Sequence, residues 1–368
     1  MMKKQDAPEK KKKLRSGFTT GACAAAAAKA AAVALLSGRP VDHVEIPFPT
    51  GERHGFSLHS CVCQDGQVTA SIIKDAGDDP DVTNGAEIIA VVEQQEPGLV
   101  EEDLIISGGP GVGKVTKPGL PVPVGEPAIN PVPQKMIRAA VAEAVKEVGD
   151  DDICPLQVTI CVTDGELLAE KTLNSRLGIL GGLSILGTTG IVRPVSARAW
   201  TDTIDASMKV ARATGLTEVI LSTGRTSEAA VQRLLELPEE SMVMMGDYLA
   251  YALKAAGRHG FKKIYLAGMW AKILKCALGI PQTHVRHGAL EVSQAADLLA
   301  ELGLDRQQAD ELATANTARE IYQRLKAAGR EDLICSVCEQ AKKYAMKRSK
   351  LVVELFLVTS EDGVVTHV

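Results

Sequence analysis

Four stretches of this sequence gather residues able to do chemistry. The first is Thr19-Thr20-Gly21-Ala22-Cys23, where hydroxyls and unpaired amides meet at a helix start, an arrangement that suits an anion. A plain helix cap uses the same residues and is much commoner. The second stretch, residues 74 to 83, sets Asp75, Asp78, Asp79 and Asp81 beside Lys74 after an apolar run. Carboxylates so close invite a divalent cation, but calcium loops alternate their oxygens and close on a Glu, and that order is missing. An Asp-rich turn bonded to its own backbone explains the composition about as well.

The third stretch, residues 107 to 119, satisfies G-x-x-x-x-G-K between Gly108 and Lys114. Val115 stands where Ser or Thr should hold magnesium, and Pro118-Gly119 stops the helix that would present amides to phosphate. Nucleotide hydrolysis is therefore rejected. What remains is a Lys-bearing loop (Gly111, Gly113, Lys114, Thr116, Lys117) able to lie close against an anionic ligand. The fourth, residues 221 to 228, is a strand turning through Gly224 into a helix, the place where open parallel sheets bind ligands. It lacks G-x-G-x-x-G, so Gly224, Arg225 and Glu228 are candidates for a carboxylate or ribose contact and not for a dinucleotide. A second strand end, residues 267 to 272, is a similar place. His284 and His287 are the only two histidines close together, with surface or core placement as the default for each.

The elements that must position these groups fall into two textures. An Ala-dominated helix is expected up to residue 36, then short strands at 44 to 46, 56 to 58, 68 to 73 and 88 to 92. Residues 107 to 133 hold so many Gly and Pro that they read as a long loop, followed by a helix at 134 to 148 and a strand at 156 to 162. A glycine-rich turn region spans 177 to 190. Beyond residue 194 helices and strands alternate: helix 199 to 214, strand 218 to 222, helix 226 to 236, apolar run 242 to 245, helix 248 to 256, strand 263 to 267, helix 270 to 278. Residues 291 to 346 read as helical and 351 to 359 as a final strand. The expected fold is thus a basic disordered arm (1 to 13), a mixed α+β domain with long Gly/Pro-rich loops (14 to 195), and a Rossmann-like three-layer α/β domain with a parallel sheet and a helical extension (196 to 368).

Composition narrows the function class. Of the 368 residues 45% are hydrophobic and 24% charged, as in ordinary globular proteins, and aromatics are only 3%. With a net charge of −5 and little to stack bases on, a nucleic-acid partner is not expected. The longest apolar run, residues 22 to 36, is interrupted by Lys29, so no membrane span is expected either. Eight scattered cysteines without a secretory signal point to reduced thiols and the cytoplasm. Cys61, Cys63, Cys335 and Cys338 could form a four-thiolate zinc site, but only one pair has Cys-x-x-Cys spacing, and buried small residues are the simpler reading.

Residues 14 to 21 (LRSGFTTG), 74 to 85 (KDAGDDPDVTNG), 108 to 133 (GGPGVGKVTKPGLPVPVGEPAINPVP) and 173 to 194 (LNSRLGILGGLSILGTTGIVRP) together closely resemble the CbiD family of the anaerobic cobalamin pathway. The resemblance continues more loosely to the end of the chain. It implies an S-adenosylmethionine-dependent transferase that methylates carbon 1 of the corrinoid cobalt-precorrin-5B, giving cobalt-precorrin-6A. No protein-bound metal is implied, because the cobalt arrives inside the substrate. The macrocycle's carboxylates make Arg15, Lys74, Lys114, Lys117 and Arg193 its electrostatic partners, with Thr19, Thr20, Gly21 and Asn130 in matching segments. Asp75, Asp78, Asp79 and Asp81 would hold the ribose, the sulfonium or a ring proton, and Asp75, Asp78, Asp79 and Lys114 are placed nearest the chemistry. His284 lies in a matching second-domain segment. Three departures stand there: Met269-Trp270-Ala271 where the family pattern reads His-x-Gly, Arg225 in place of Asn, and Val285 in place of Ser. The sequence leaves a homo-oligomer open, and two rival readings stand: a non-catalytic carrier of corrinoid intermediates and, behind it, a phosphate-loop nucleotide-binding enzyme.

Overall fold

The structure, a computed structural model, describes residues 14–96, 103–149, 154–283 and 291–368. They divide into two compact units, one holding the described residues up to Ser196 except Lys117–Leu120, the other holding Lys117–Leu120 and Ala197–Val368.

The first unit is built on an alanine helix. A two-residue strand β1 (Gly17–Phe18) leads into α1 (Thr20–Ser37), which Thr19 opens by accepting the Ala22 N–H and Gly38 closes in the left-handed region. Alanine is the best helix former, and ten alanines of α1 are buried. By length and composition α1 could cross a membrane, but 78% of it is buried inside the protein, where it serves as the core helix. Its one cation, Lys29, is buried and donates to the Glu45 carbonyl (3.0 Å), Glu143 (3.1 Å) and Glu147 (2.5 Å). Both carboxylates sit on α2 (Pro131–Val148). That helix starts three residues earlier than its sequence suggests, because proline is well tolerated in a first turn.

Against α1 lies an antiparallel ribbon, β2 (His43–Pro47) with β3 (Arg53–Ser57), and a five-stranded sheet. Its strands are β4 (Ser60–Gln64), β5 (Gln67–Ile73), β6 (Glu87–Gln94), β7 (Leu104–Gly108) and, beyond the two-residue β8 (Lys114–Val115), β9 (Leu156–Val162), in the order β4-β5-β6-β9-β7 with only β7 and β9 parallel. Alternation along β9, with Leu156, Val158, Ile160 and Val162 all buried, puts one face on the core. A short helix α3 (Gly165–Ala169), β10 (Ile179–Leu180) and β11 (Ile191–Val192) complete the unit; β10 pairs β8 and β11 pairs β1.

The 108 to 130 loop is glycine-rich for packing. A Cβ on Gly111 (φ +77°) would lie 2.0 Å from the Val162 carbonyl oxygen, and one on Gly113 2.5 Å from Ile179. After Lys114 comes strand and not helix, so the phosphate-loop resemblance ends there in structure as in sequence.

The second unit is a sheet covered on both faces. In chain order it runs α4 (Ala197–Ala213), β12 (Glu218–Ser222), α5 (Arg225–Leu235), β13 (Met242–Met244), α6 (Leu249–Arg258), β14 (Lys263–Met269), α7 (Trp270–Ala277), α8 (Val292–Glu301), α9 (Arg306–Leu312), α10 (Ala318–Ala327), α11 (Glu331–Ser349), β15 (Val352–Thr359) and β16 (Gly363–His367). Strand order is β13-β12-β14-β15-β16, parallel except for the last. Val219, Leu221, Ile264, Leu266, Val353 and Leu355 join the large core with α4, α6, α7 and α11; Ile220, Tyr265, Ala267, Phe356 and Val358 pack under Val231 of α5. The continuous helical stretch expected over 291 to 346 is four helices, broken where Gly303 and Gly329 take positive φ and where Thr317 caps α10.

Gly111→Ala and Gly181→Ala separate packing from backbone strain. Both glycines have positive φ, but nothing lies within 4 Å of a Cβ on Gly181. The Gly181 variant should lose about 1 kcal/mol and the Gly111 variant upwards of about 3 kcal/mol, read as shifts in denaturant midpoint.

Candidate functional site

Backbone zippering brings two of the chemistry-bearing segments together. Residues 15 to 18 lie against 75 to 78: the Phe18 N–H donates to the Asp75 carbonyl (2.7 Å) and the Asp78 N–H to that of Arg15 (2.9 Å). The approach requires glycine, since a Cβ on Gly17 would lie 2.1 Å from Ala76, and one on Gly77 2.3 Å from the Arg15 oxygen. A third segment, residues 172 to 192, closes on the start of α1. Thr20 Oγ1 accepts from the Leu186 N–H (2.9 Å), and the Gly21 N–H donates to the Leu186 carbonyl (3.0 Å). The 108 to 130 loop backs that segment, with Ile185 donating to the Ala128 carbonyl and accepting from the Asn130 N–H, and Leu183 donating to the Gly111 carbonyl.

These segments enclose a cavity of about 250 Å³ lined by Thr19, Thr20, Lys74, Asp81, Val82, Thr83, Thr172, Asn174, Leu183, Ser184, Leu186 and Val192. Its charge is one ion pair. The Lys74 ammonium, 1% exposed, donates to Asp81 at 2.7 Å, and Asp81 also accepts the Thr83 N–H and hydroxyl. Burial pushes the Asp81 carboxyl up, but the bond and charge of Lys74 and the Thr83 bonds outweigh it and leave it below the usual carboxylate range. Asn174 donates to the Gly182 carbonyl (3.1 Å) and accepts from Ser184 (3.4 Å), ordering the far wall. Cys23 offers no nucleophile: burial raises its thiol to about 12.

The structure brings together Thr19, Thr20, Lys74 and Asp81 of the residues singled out in the sequence. The other carboxylates of the 74 to 83 segment do not converge on one point. Asp75 takes the Arg15 guanidinium (2.5 and 2.9 Å), a bond that holds it below its ordinary value; Asp78 takes the Arg15 N–H (2.6 Å); Asp79 takes the Val195 N–H (2.8 Å). No group of three or more His, Cys, Asp or Glu able to hold a metal occurs among the described residues, and burial lifts the Cys338 thiol to about 12. Arg15, Lys114 and Arg193 are exposed, and Lys114, Thr116, Asn130 and Arg193 do not line the cavity. Thr116 donates to the Gly178 carbonyl (2.8 Å), Asn130 opens α2, and Gly21 packs on the Pro133 ring. Thr172, Asn174 and Ser184 went unnoticed as single residues; lone polar residues in a glycine-rich turn carry no spacing signal.

In the second unit, Lys117 pairs with Glu240 (2.7 Å). The neighbouring strands β12 and β14 send the chain to opposite faces, into α5 and α7, which makes their carboxyl ends a topological switch point. Gly224 and Arg225 start α5 there, with Arg225 exposed, while Glu228 is buried and accepts from Ser222 (3.0 Å). Beside them Asp247 accepts from Lys272 and from the Thr283 hydroxyl (2.9 Å). Burial, then the Lys272 charge, lowers Lys275, whose ammonium donates to the Thr283 carbonyl (2.9 Å). His284 lies outside the described residues.

Comparison with known proteins gives these geometries a family. A family model described as CbiD matches residues 7–194, and one described as CbiD, C-terminal domain matches 282–367. A protein of Desulfotalea psychrophila called cobalt-precorrin-5B C(1)-methyltransferase is 55% identical over 97% of this chain and 98% of its own length. Proteins of the same name from Geotalea daltonii (50%, 91% of this chain and 92% of theirs) and Priestia megaterium (42%, 93% and 92%) are also similar. A crystal structure of the cobalamin biosynthesis protein cbiD from Archaeoglobus fulgidus is 28% identical, covers 71% of this chain and 79% of that one, and superposes with a TM-score of 0.40. With family matches in both halves and relatives alike over nearly its whole length, the chain belongs to the CbiD family.

Proposed function

We propose that this protein transfers a methyl group from S-adenosylmethionine to carbon 1 of cobalt-precorrin-5B, releasing cobalt-precorrin-6A and S-adenosylhomocysteine. The observation that carries the reading is 55% identity over 97% of the chain to a protein bearing that activity as its name. The donor supplies an activated methyl: a carbon–carbon bond forms as the sulfur–methyl bond breaks, and the electron pair stays on sulfur. A one-step displacement needs alignment and exclusion of water, not a nucleophilic side chain.

The first unit's residues suit a polyanionic ring. Arg15 and Arg193 are exposed at its surface, and Lys74 supplies a buried cation beside the α1 N-terminus, whose amides also favour negative charge. A substrate carboxylate entering the cavity would share Lys74 with Asp81, while Thr19, Thr20, Thr83 and Ser184 offer hydroxyls. Asp75 and Asp78 hold Arg15 in place, so in this reading they position a cation. The second unit serves as a Rossmann-like scaffold that takes the donor at the carboxyl ends of its strands, where Gly224 and Arg225 start α5.

Incubating the protein with cobalt-precorrin-5B and methyl-labelled S-adenosylmethionine should move label into the corrinoid with equal release of S-adenosylhomocysteine. Tight corrinoid binding without transfer would replace the enzyme by a carrier. Lys114→Ala, at an exposed position, should lower turnover at least about tenfold, roughly one hydrogen bond's worth of transition-state binding, with the melting temperature nearly unchanged, whereas Asp78→Ala, which also frees the Arg15 N–H, should lower turnover as much and melt earlier. Unaltered turnover removes the residue from the site.

Asp81→Asn should cost about 3 kcal/mol at neutral pH by leaving Lys74 buried without its charge partner. Since the Asp81 carboxyl is depressed from 3.8, its contribution is complete above that pH and lost as pH falls through the lower folded value. The gap between wild type and variant, followed by denaturant titration, should therefore narrow below pH 3.8.

A further inference from the structure

The turn after β13, Gly246-Asp247-Tyr248, joins an aromatic face to an ion pair at the carboxyl end of the second unit's sheet. On it stands Trp200 of α4, one of two tryptophans in the chain and 42% exposed. Its indole lies 3.5 Å from where a Cβ on Gly246 would be and stacks on the Tyr248 ring at 6.4 Å and 27°. The next residue, Asp247, is paired with Lys272 in the first turn of α7, and the two side chains keep 26% and 29% exposure. Thr283 locks the pair from behind: its hydroxyl donates to Asp247 (2.9 Å) and its carbonyl accepts from Lys272 (3.1 Å). A large aromatic surface left open to solvent is unusual in a protein with 3% aromatics. An ion pair tied down at a strand end, yet reaching solvent, is equally poor as a stability device.

Together they suit one ligand chemistry. The buried Lys275 ammonium shares the Thr283 carbonyl with Lys272, so a lone cation meets two like charges there and a lone anion meets the Asp247 carboxylate. A zwitterion laid antiparallel to Asp247 and Lys272 completes a ring of four alternating charges, in which each ligand charge meets its opposite. An aromatic face beside it accepts a purine by stacking, without regard to sequence-like detail. We propose that Trp200, Asp247 and Lys272 form the donor subsite of the second unit: the indole receives the adenine, and the ion pair holds the ammonium and carboxylate of the amino-acid end. This rests on the methyltransferase reading and assigns the methyl donor to one unit and three side chains.

The test compares S-adenosylhomocysteine, which carries the zwitterion, with 5′-methylthioadenosine, which lacks it, by titration calorimetry on the full chain. Lys272→Met and Asp247→Asn should weaken S-adenosylhomocysteine at least tenfold and leave 5′-methylthioadenosine within twofold. Trp200→Leu should weaken both at least fivefold. A readout independent of variant stability is quenching of wild-type tryptophan fluorescence by S-adenosylhomocysteine, which should be lost in Trp200→Phe. If the wild type binds S-adenosylhomocysteine while the variants match it and quenching survives in Trp200→Phe, the subsite is wrong and the methyltransferase reading stands. If the wild type binds neither nucleoside, the donor reading fails and the subsite with it.

Discussion

Taking the Lys74 ammonium out of water is the constraint around which the first unit is arranged. A lysine at 1% exposure is tolerated only where a carboxylate and hydrogen bonds replace its hydration, and Asp81 does so at 2.7 Å. Asp81 must therefore be turned inward, which fixes the 81 to 85 turn; the Gly85 N–H donates to the Lys74 carbonyl and closes it (2.8 Å). The same turn presents Asn84 to the Ala76 N–H (2.8 Å), and Ala76 and Gly77 are the backbone against which residues 15 to 17 lie. One buried charge thus sets the path of two segments, and α1 begins where the second of them ends.

How far this was legible in the sequence differs by element. The strand at 218 to 222 is observed with the bounds its apolar run suggests, and β15 begins one residue later than read and ends at Thr359 as expected. In both, a sheet buried on two faces leaves a largely apolar run, broken inside β15 by Glu354. The first turn of α2 was hidden by prolines that read as breakers. Two-residue strands such as β1, β8, β10 and β11 have no periodicity to detect, although they are what joins the site's loops. β16 was missed because its 363 to 367 run is short and only half-buried.

At the site the same division holds. Thr19, Thr20, Lys74 and Asp81 were visible because charge or hydroxyl density marks them, and they do line one cavity. Asp75, Asp78 and Asp79 carry the same mark, yet each is spent on holding the 15 to 17 strand or the 195 backbone, since composition does not say where a side chain turns. The glycines at 111 and 113, which looked like room for a ligand, are room for the protein's own backbone.

Alanine has no rotamers to lose. Ten buried alanines in α1 withdraw apolar surface from water while giving up backbone freedom alone, whereas a helix of leucines would surrender roughly 0.5–1 kcal/mol of side-chain entropy per residue as well. At those ten positions the helix has no alternative packings to sample, because alanine has no side-chain torsion through which it could rearrange. The cavity wall made by Thr19 and Thr20 is carried on the stiffest kind of support a folded chain can offer, and thermal motion near it must come from the loops opposite.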